Sequence, residues 1–138
     1  LPLLEAAPAT LVIANRTASK AAELAEEFSS AGMTPPLGCG FAELAGQRFD
    51  VIINATSASL SDAAPDLPVG LDAPGSLAYD MRYGRGDTPF LRAARAQGAA
   101  HLCDGLGMLV EQAAESFQLW RGVRPETAPV LAQLRASL

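Results

Sequence analysis

The sequence predicts an α/β domain in three layers, a mostly parallel sheet covered by helices on both faces. Three observations predict it. Short apolar runs rich in β-branched residues alternate with amphipathic helical stretches along the whole chain. The two clearest runs, Thr10–Ala14 and Phe49–Asn54, lead into short polar turns, Asn15-Arg16-Thr17 and Asn54-Ala55-Thr56-Ser57. Strand, polar turn and helix in succession demand crossover connections, and crossovers make parallel strands.

Each element follows from local chemistry. Thr10–Ala14 reads as a buried strand. Thr17 is placed to cap the next helix, Ala18–Phe28, which is rich in Ala, Glu, Leu and Lys and sets Leu24 and Phe28 four apart. Ser29-Ser30-Ala31-Gly32 stops that helix. Met33–Cys39 is a weak strand, and Pro35-Pro36 bars it from a central ladder position. Phe41–Ala45 is a short helix at best, and Phe49–Asn54 is a strand. Ser59–Gly75, rich in Pro, Asp and Gly, reads as a long loop before the strand Ser76–Asp80. After the loop Met81–Asp87, Thr88-Pro89 opens a helix as N-cap and first residue, and Gly98 closes it after Gln97. Ala99–Cys103 is the last strand, and Asp104-Gly105-Leu106-Gly107 a turn. The helix Met108–Arg121 presents Leu109, Gln112, Ala113, Ser116, Phe117 and Trp120 on one broad face, and Gly122 ends it. Pro125 opens a final helix carrying Val130, Leu131 and Leu134. No repeat is evident, and residues 1–138 read as one domain.

The 138 residues are about the modal size of a domain, and 49% of them are hydrophobic, enough for a core. A net charge of −5 argues against a general nucleic-acid or anionic-membrane binder. No apolar run approaches the roughly 18 residues of a membrane span, and Leu1-Pro2-Leu3-Leu4 has neither the basic flank nor the length of a signal peptide. Cys39 and Cys103 lack metal-ligand spacing and read as buried or semi-buried free thiols, in keeping with a reducing cytoplasm. The chain opens without methionine in the middle of an apolar pattern, and so reads as a piece of a longer protein.

The turns at strand ends are where open α/β sheets bind ligands. In a dinucleotide-binding fold the end of the second strand meets the adenosine ribose, and an acid there suits NAD. Here the turn carries Asn15 and Arg16. An arginine fork suits a 2′-phosphate, and Lys20 could add a second positive charge. Isolated charges are usually plain surface, but cations at a helix N-terminus oppose its dipole, and a bound anion accounts for them better. Asn54-Ala55-Thr56-Ser57 has small side chains that let a flat ligand approach, and equally fits a tight turn. Tyr83 could hydrogen-bond a substrate or simply pack at the surface. Gly105 and Gly107 allow positive φ or close backbone approach. Gln112 lies a helical turn beyond them and needs a partner if buried. His101 reads as structural, and Asp80 and Asp104 as isolated acids, so no Ser-His-Asp, Cys-His, paired-carboxylate or metal constellation is in view.

Taken together, Ile13-Ala14-Asn15-Arg16-Thr17, Asn54-Ala55-Thr56-Ser57, Tyr79-Asp80-Met81-Arg82-Tyr83 with Thr88-Pro89-Phe90, the block from Asp104 to Ala114 (DGLGMLVEQAA), and Leu119-Trp120-Arg121-Gly122-Val123-Arg124-Pro125 occur in the order that resembles the C-terminal, NADP-binding domain of shikimate dehydrogenases. The resemblance covers essentially the whole chain, and the DGLGM…Q block is its most specific part. It implies a Rossmann-like fold and reduction of 3-dehydroshikimate to shikimate with NADPH, a step of aromatic amino-acid (chorismate) biosynthesis in the cytoplasm. It implies that Asn15, Arg16, Thr17 and Lys20 lie at the adenosine ribose and 2′-phosphate, and that Asn54, Ala55, Thr56 and Ser57 form the cofactor-side turn. Met81, Gly105 and Met108 would lie near the nicotinamide, with Tyr83 and Gln112 reaching the substrate. No metal is implied, and a homodimer is left open.

There are departures from the family pattern. Lys20 stands where arginine is frequent, the Gly84-Arg85-Gly86-Asp87 loop is in a variable place, and Ala58-Ser59 lacks a frequent glycine. The resemblance also places the family's first strand and glycine-rich pyrophosphate loop before Leu1, and its catalytic lysine and aspartate in a separate N-terminal substrate domain. This stretch alone would then be inactive. A first strand outside it would leave a gap in the sheet, filled by residues beyond those given, by another chain, or by direct pairing of the flanking strands. We take the first. A quinate/shikimate dehydrogenase using NAD(P), or a non-catalytic binding module of the same fold, are the alternatives. NAD-preferring relatives tend to carry an acid where Asn15-Arg16 stands.

Overall fold

The computed structural model describes residues 1–30, 34–56 and 63–138. It is an α/β protein with parallel strands, as the alternating pattern requires. The chain divides into two compact units, Leu1–Gln47 with Asp66–Leu71, and Arg48–Pro65 with Asp72–Leu138.

The first unit opens with a short helix, α1 (Pro2–Glu5), and then forms β1 (Val12–Asn15), α2 (Ala18–Glu27) and β2 (Leu37–Gly40), followed by a 3₁₀ turn at Phe41–Leu44. β1 and β2 pair in parallel, from Val12 opposite Leu37 to Asn15 opposite Gly40. β2 starts after Pro35-Pro36, so the prolines stay out of the ladder. With a ladder neighbour on one side, β1 is half-buried rather than buried, and it starts at Val12. The expected Leu24–Phe28 stripe of α2 is not its core face. Ala21 and Ala25 are buried, while Leu24 is 42% exposed. The reason is close packing: a Cβ on Gly38 would fall 2.4 Å from the Ala21 carbonyl oxygen. A helix that approaches a strand this closely must present small residues.

The second unit contains β3 (Phe49–Asn54), β4 (Asp72–Asp80), α3 (Pro89–Gln97), β5 (His101–Asp104), α4 (Leu106–Arg121) and α5 (Ala128–Ser137). Its sheet order is β3-β4-β5, all parallel. β4 begins four residues earlier than the sequence suggests, because a register shift between Phe49 and Val51 absorbs Pro74-Gly75. Gly75 there takes φ +84°, a left-handed conformation that glycine tolerates. In the central strand Ser76, Ala78 and Asp80 alternate into the buried face. α3 packs on β4 and β5, burying Phe90, Leu91 and Ala94. Its ends are as expected: the Thr88 hydroxyl accepts from the Leu91 N–H at 3.3 Å, and Gly98 closes it in the left-handed region.

Two helices depart from expectation. α4 starts at Leu106, so Gly107 is helical rather than a turn residue, and its buried stripe is Leu106, Val110 and Ala114. Leu109, Phe117 and Trp120 are 38%, 46% and 77% exposed. α5 starts at Ala128 behind Thr127, with Pro129 rather than Pro125 in its first turn. The described residues form a two-stranded sheet in the first unit and a three-stranded sheet in the second. No helix of the described residues is long and apolar enough to cross a membrane.

Candidate functional site

In the first unit β1 delivers Asn15 to the strand end. The Asn15 carboxamide oxygen accepts from the Thr17 N–H at 2.9 Å, closing a local turn before α2. Thr17 stands at the N-cap, yet its hydroxyl makes no capping bond, which corrects the role given it above. The turn is instead held by Asn15, and the first amides of α2 keep no side-chain acceptor. Arg16 and Lys20 are exposed, and neither is paired with an acid among the described residues. Two unpaired cations beside uncapped helix amides suit an anion.

In the second unit the parallel register lines up three residues at the strand ends: Asn54 opposite Asp80, and Asp80 opposite Asp104. Asp80 is the hub. It is wholly buried, and its carboxylate accepts from the Asn54 carboxamide at 3.2 Å, the Thr88 hydroxyl at 2.5 Å and the Arg82 N–H at 3.2 Å. The other end of the Asn54 side chain accepts from the Thr56 N–H at 3.1 Å and the Thr56 hydroxyl at 2.8 Å, so the turn Asn54–Thr56 is built on the same group. Ser57 lies outside the described residues.

Backbone contacts tie these turns together. Met81 N–H donates to the Asn54 carbonyl at 3.1 Å, and Gly105 N–H donates to the Arg82 carbonyl at 3.0 Å. Gly105 touches Met81 so closely that a Cβ there would lie 1.9 Å from the Met81 carbonyl oxygen. Of the two uses foreseen for this glycine, close approach is the one realised, since its φ is −77°. Asn54, Met81 and Gly105 are therefore brought together. Met81, Tyr83 and Met108 are 42%, 39% and 39% exposed, open to a ligand. Gln112 is exposed one turn along α4 from Met108, so its polar group needs no buried partner.

Asp104 is not an isolated acid. Arg135 of α5 grips it with two N–H groups, each at 2.6 Å, and its carboxylate also accepts from the Leu106 N–H at 3.2 Å. The Arg135 bonds, aided by the Leu106 amide and outweighing partial burial, hold the Asp104 carboxyl below its ordinary value of 3.8. A depressed folded pKa means that the pair's stabilisation is fully present above 3.8 and lost as pH falls through the lower folded value. The expected result is a stability gap between wild type and Arg135→Ala in urea unfolding that is full at about pH 6 and closes in acid. A gap of constant size down to the acid limb would contradict it.

Asp80, read from the sequence as an isolated acid, is the centre of a buried network, and Arg135 is not among the residues the sequence points to. Asp80 carried a signal, an acid eight residues before the Thr88-Pro89 helix start. Arg135 carried none. Cys39 is half-buried as expected and its thiol is pushed up by burial and by Glu43, but Cys103 is exposed, at the outer strand of its sheet. His101 is exposed on β5. Among the described residues no cluster of His, Cys, Asp or Glu could hold a metal.

Residues 105–135 match the family model of the shikimate 5′-dehydrogenase C-terminal domain. The chain is 65% identical over 137 residues to a shikimate dehydrogenase (NADP(+)) of Dechloromonas aromatica, covering 99% of this chain and 49% of that protein. It is 63% identical to the corresponding protein of Aromatoleum aromaticum, covering 100% and 50%. The chain thus spans about half the length of the curated relatives it matches. Among solved structures, an Ael1 enzyme from Pseudomonas putida matches at 51% identity and TM-score 0.83, covering 96% of this chain and 48% of that one. The shikimate 5-dehydrogenase of Thermus thermophilus, solved with NADP(H) and shikimate, matches at 30% identity and TM-score 0.72, covering 98% and 49%. These neighbours share its Rossmann-like α/β architecture. The motif order, the strand-end turns and these likenesses agree: over nearly all its length the chain is similar to shikimate dehydrogenases.

Proposed function

We propose that residues 1–138 act as the NADP-binding domain of a cytoplasmic shikimate dehydrogenase, which reduces 3-dehydroshikimate to shikimate with NADPH in aromatic amino-acid (chorismate) biosynthesis. The observation that carries this reading is the 65% identity to an NADP-dependent relative across 99% of the chain. The residues fit the cofactor. The exposed, acid-free pair Arg16 and Lys20 suits a 2′-phosphate, and Asn15 shapes the turn that presents them. Asn54, Ala55 and Thr56 sit in a second cofactor-side turn, Ser57 is assigned to the cofactor from the sequence, and Met81, Gly105 and Met108 serve the nicotinamide end. Tyr83 and Gln112 face the substrate, a small hydroxy-acid ring. NADPH supplies a hydride, and this chain's own residues bind and orient its carrier. The reductase activity is a property of the whole protein.

The test is selective. Arg16→Ala is expected to weaken NADPH binding by about tenfold or more, the loss of a charge-assisted bond of roughly 1.5–3 kcal/mol, while sparing NADH. Titration by nicotinamide fluorescence reads both. Equal loss for the two cofactors would remove the 2′-phosphate assignment, and with it the argument against an NAD-using quinate/shikimate dehydrogenase.

A further inference from the structure

We propose that Arg135 is a positioning residue that acts through Asp104 to fix the Gly105 turn, so that the last helix tunes binding of the nicotinamide half of the cofactor. The proposal rests on the NADP reading above. α5 buries none of its own residues, so burial of an apolar face does not explain its place. What it does contribute is a two-pronged grip on a carboxylate that is only 8% exposed at the end of β5.

The consequences run through adjacent atoms. The gripped carboxylate also receives the Leu106 N–H, the first amide of α4. Between Asp104 and Leu106 stands Gly105, whose N–H holds the Arg82 carbonyl and whose Cα lies against the Met81 carbonyl. Without Arg135, Asp104 is a nearly buried charge with one backbone donor, and it must rotate toward water. That rotation releases Leu106 and shifts the glycine, and Met81 has no slack to absorb the shift. A bidentate fork fixes direction as well as charge, so lysine should replace it only in part.

The experiment compares wild type with Arg135→Ala, Arg135→Lys, Asp104→Asn and the double variant Asp104→Asn/Arg135→Ala in the full-length protein. Affinities for NADPH and for 2′-phospho-ADP, which lacks the nicotinamide, are measured side by side. Arg135→Ala is expected to weaken NADPH about fivefold, the low end of coupling between linked groups, with 2′-phospho-ADP unchanged. Arg135→Lys should recover part of the loss, and the double variant should be no weaker than Asp104→Asn alone. Equal weakening of both ligands, no weakening of either, or simple addition in the double variant would overturn the proposal. Amide hydrogen exchange separates this from the NADP reading. If wild type binds neither ligand, the NADP reading fails. Faster exchange at Gly105 and Leu106 in Arg135→Ala, with Ala78 and Leu102 unchanged, then still supports the grip. Uniform or absent change overturns it.

Discussion

Asp80→Ala is expected to be the most damaging single substitution in the second unit, costing about 4 kcal/mol. Three donors converge on this wholly buried carboxylate: the Asn54 carboxamide, the Thr88 hydroxyl and the Arg82 amide. Each unsatisfied buried donor costs about 1–3 kcal/mol, and part of the sum is recovered by water entering the space. Since domains are stable by only about 5–15 kcal/mol, the variant should be largely unfolded at modest urea. Asp80→Asn keeps one acceptor oxygen and turns its amide toward the Thr88 hydroxyl, which can reverse its role and accept. Its cost should be about 1–2 kcal/mol. Urea midpoints in the order wild type, Asn, Ala test the argument. Equal midpoints for Asn and Ala would mean that charge, rather than acceptor geometry, is what the network needs.

The second large effect is expected at Gly105. An alanine Cβ would lie 1.9 Å from the Met81 carbonyl oxygen and 2.5 Å from its carbon, both backbone atoms. Rotamer changes cannot relieve such a clash; one of the two strand ends must move. Forced repacking of this kind costs about 3 kcal/mol, which for a domain of this size lowers Tm by about 10 °C. The hydrogen bond from Gly105 to the Arg82 carbonyl should be lost with it, along with cofactor affinity. Gly107→Ala is the internal control. Its Cβ would meet nothing within 4 Å, and it lies inside α4, where alanine is the better helix former. The control should melt at or above wild type. A Gly105→Ala variant that melts with it would show that the turn is more plastic than its contacts imply.

Much of the fold was legible because local signals and tertiary context agree. Thr88-Pro89 and Gly98 bound α3 where a capping hydroxyl, a proline and a left-handed glycine predict. Phe49–Asn54 is a strand on β-propensity alone. Reading failed where packing overrode local pattern. Large apolar residues usually mark a core, yet the Leu24–Phe28 pair of α2 is not its buried face. A helix lying against Gly38 has room only for Ala21 and Ala25. The same error rotated α4, whose larger apolar residues face outward while Leu106, Val110 and Ala114 are buried. Pro74-Gly75 looked like loop because a register shift cannot be read from one strand. Of the site, the turns Asn15–Thr17, Asn54–Thr56, Met81–Tyr83 and Asp104–Gly105 were found as strand ends. What joins them was not. Asp80 and Thr88 are eight residues apart, and Asp104 and Arg135 thirty-one, so their partnership exists only in three dimensions.

The row of Asn54, Asp80 and Thr88 also constrains how this sequence can drift. Each member satisfies another, so an apolar change at any one takes a hydrogen-bond partner from a buried neighbour. Apolar replacement of the whole set would also remove the side-chain acceptors that the Thr56, Arg82 and Leu91 N–H groups use, so every route away from it crosses a destabilised intermediate. Such a trio is expected to be epistatic: lineages should retain all three together or exchange them together, and a tolerated change at one position should signal a compensating change at another.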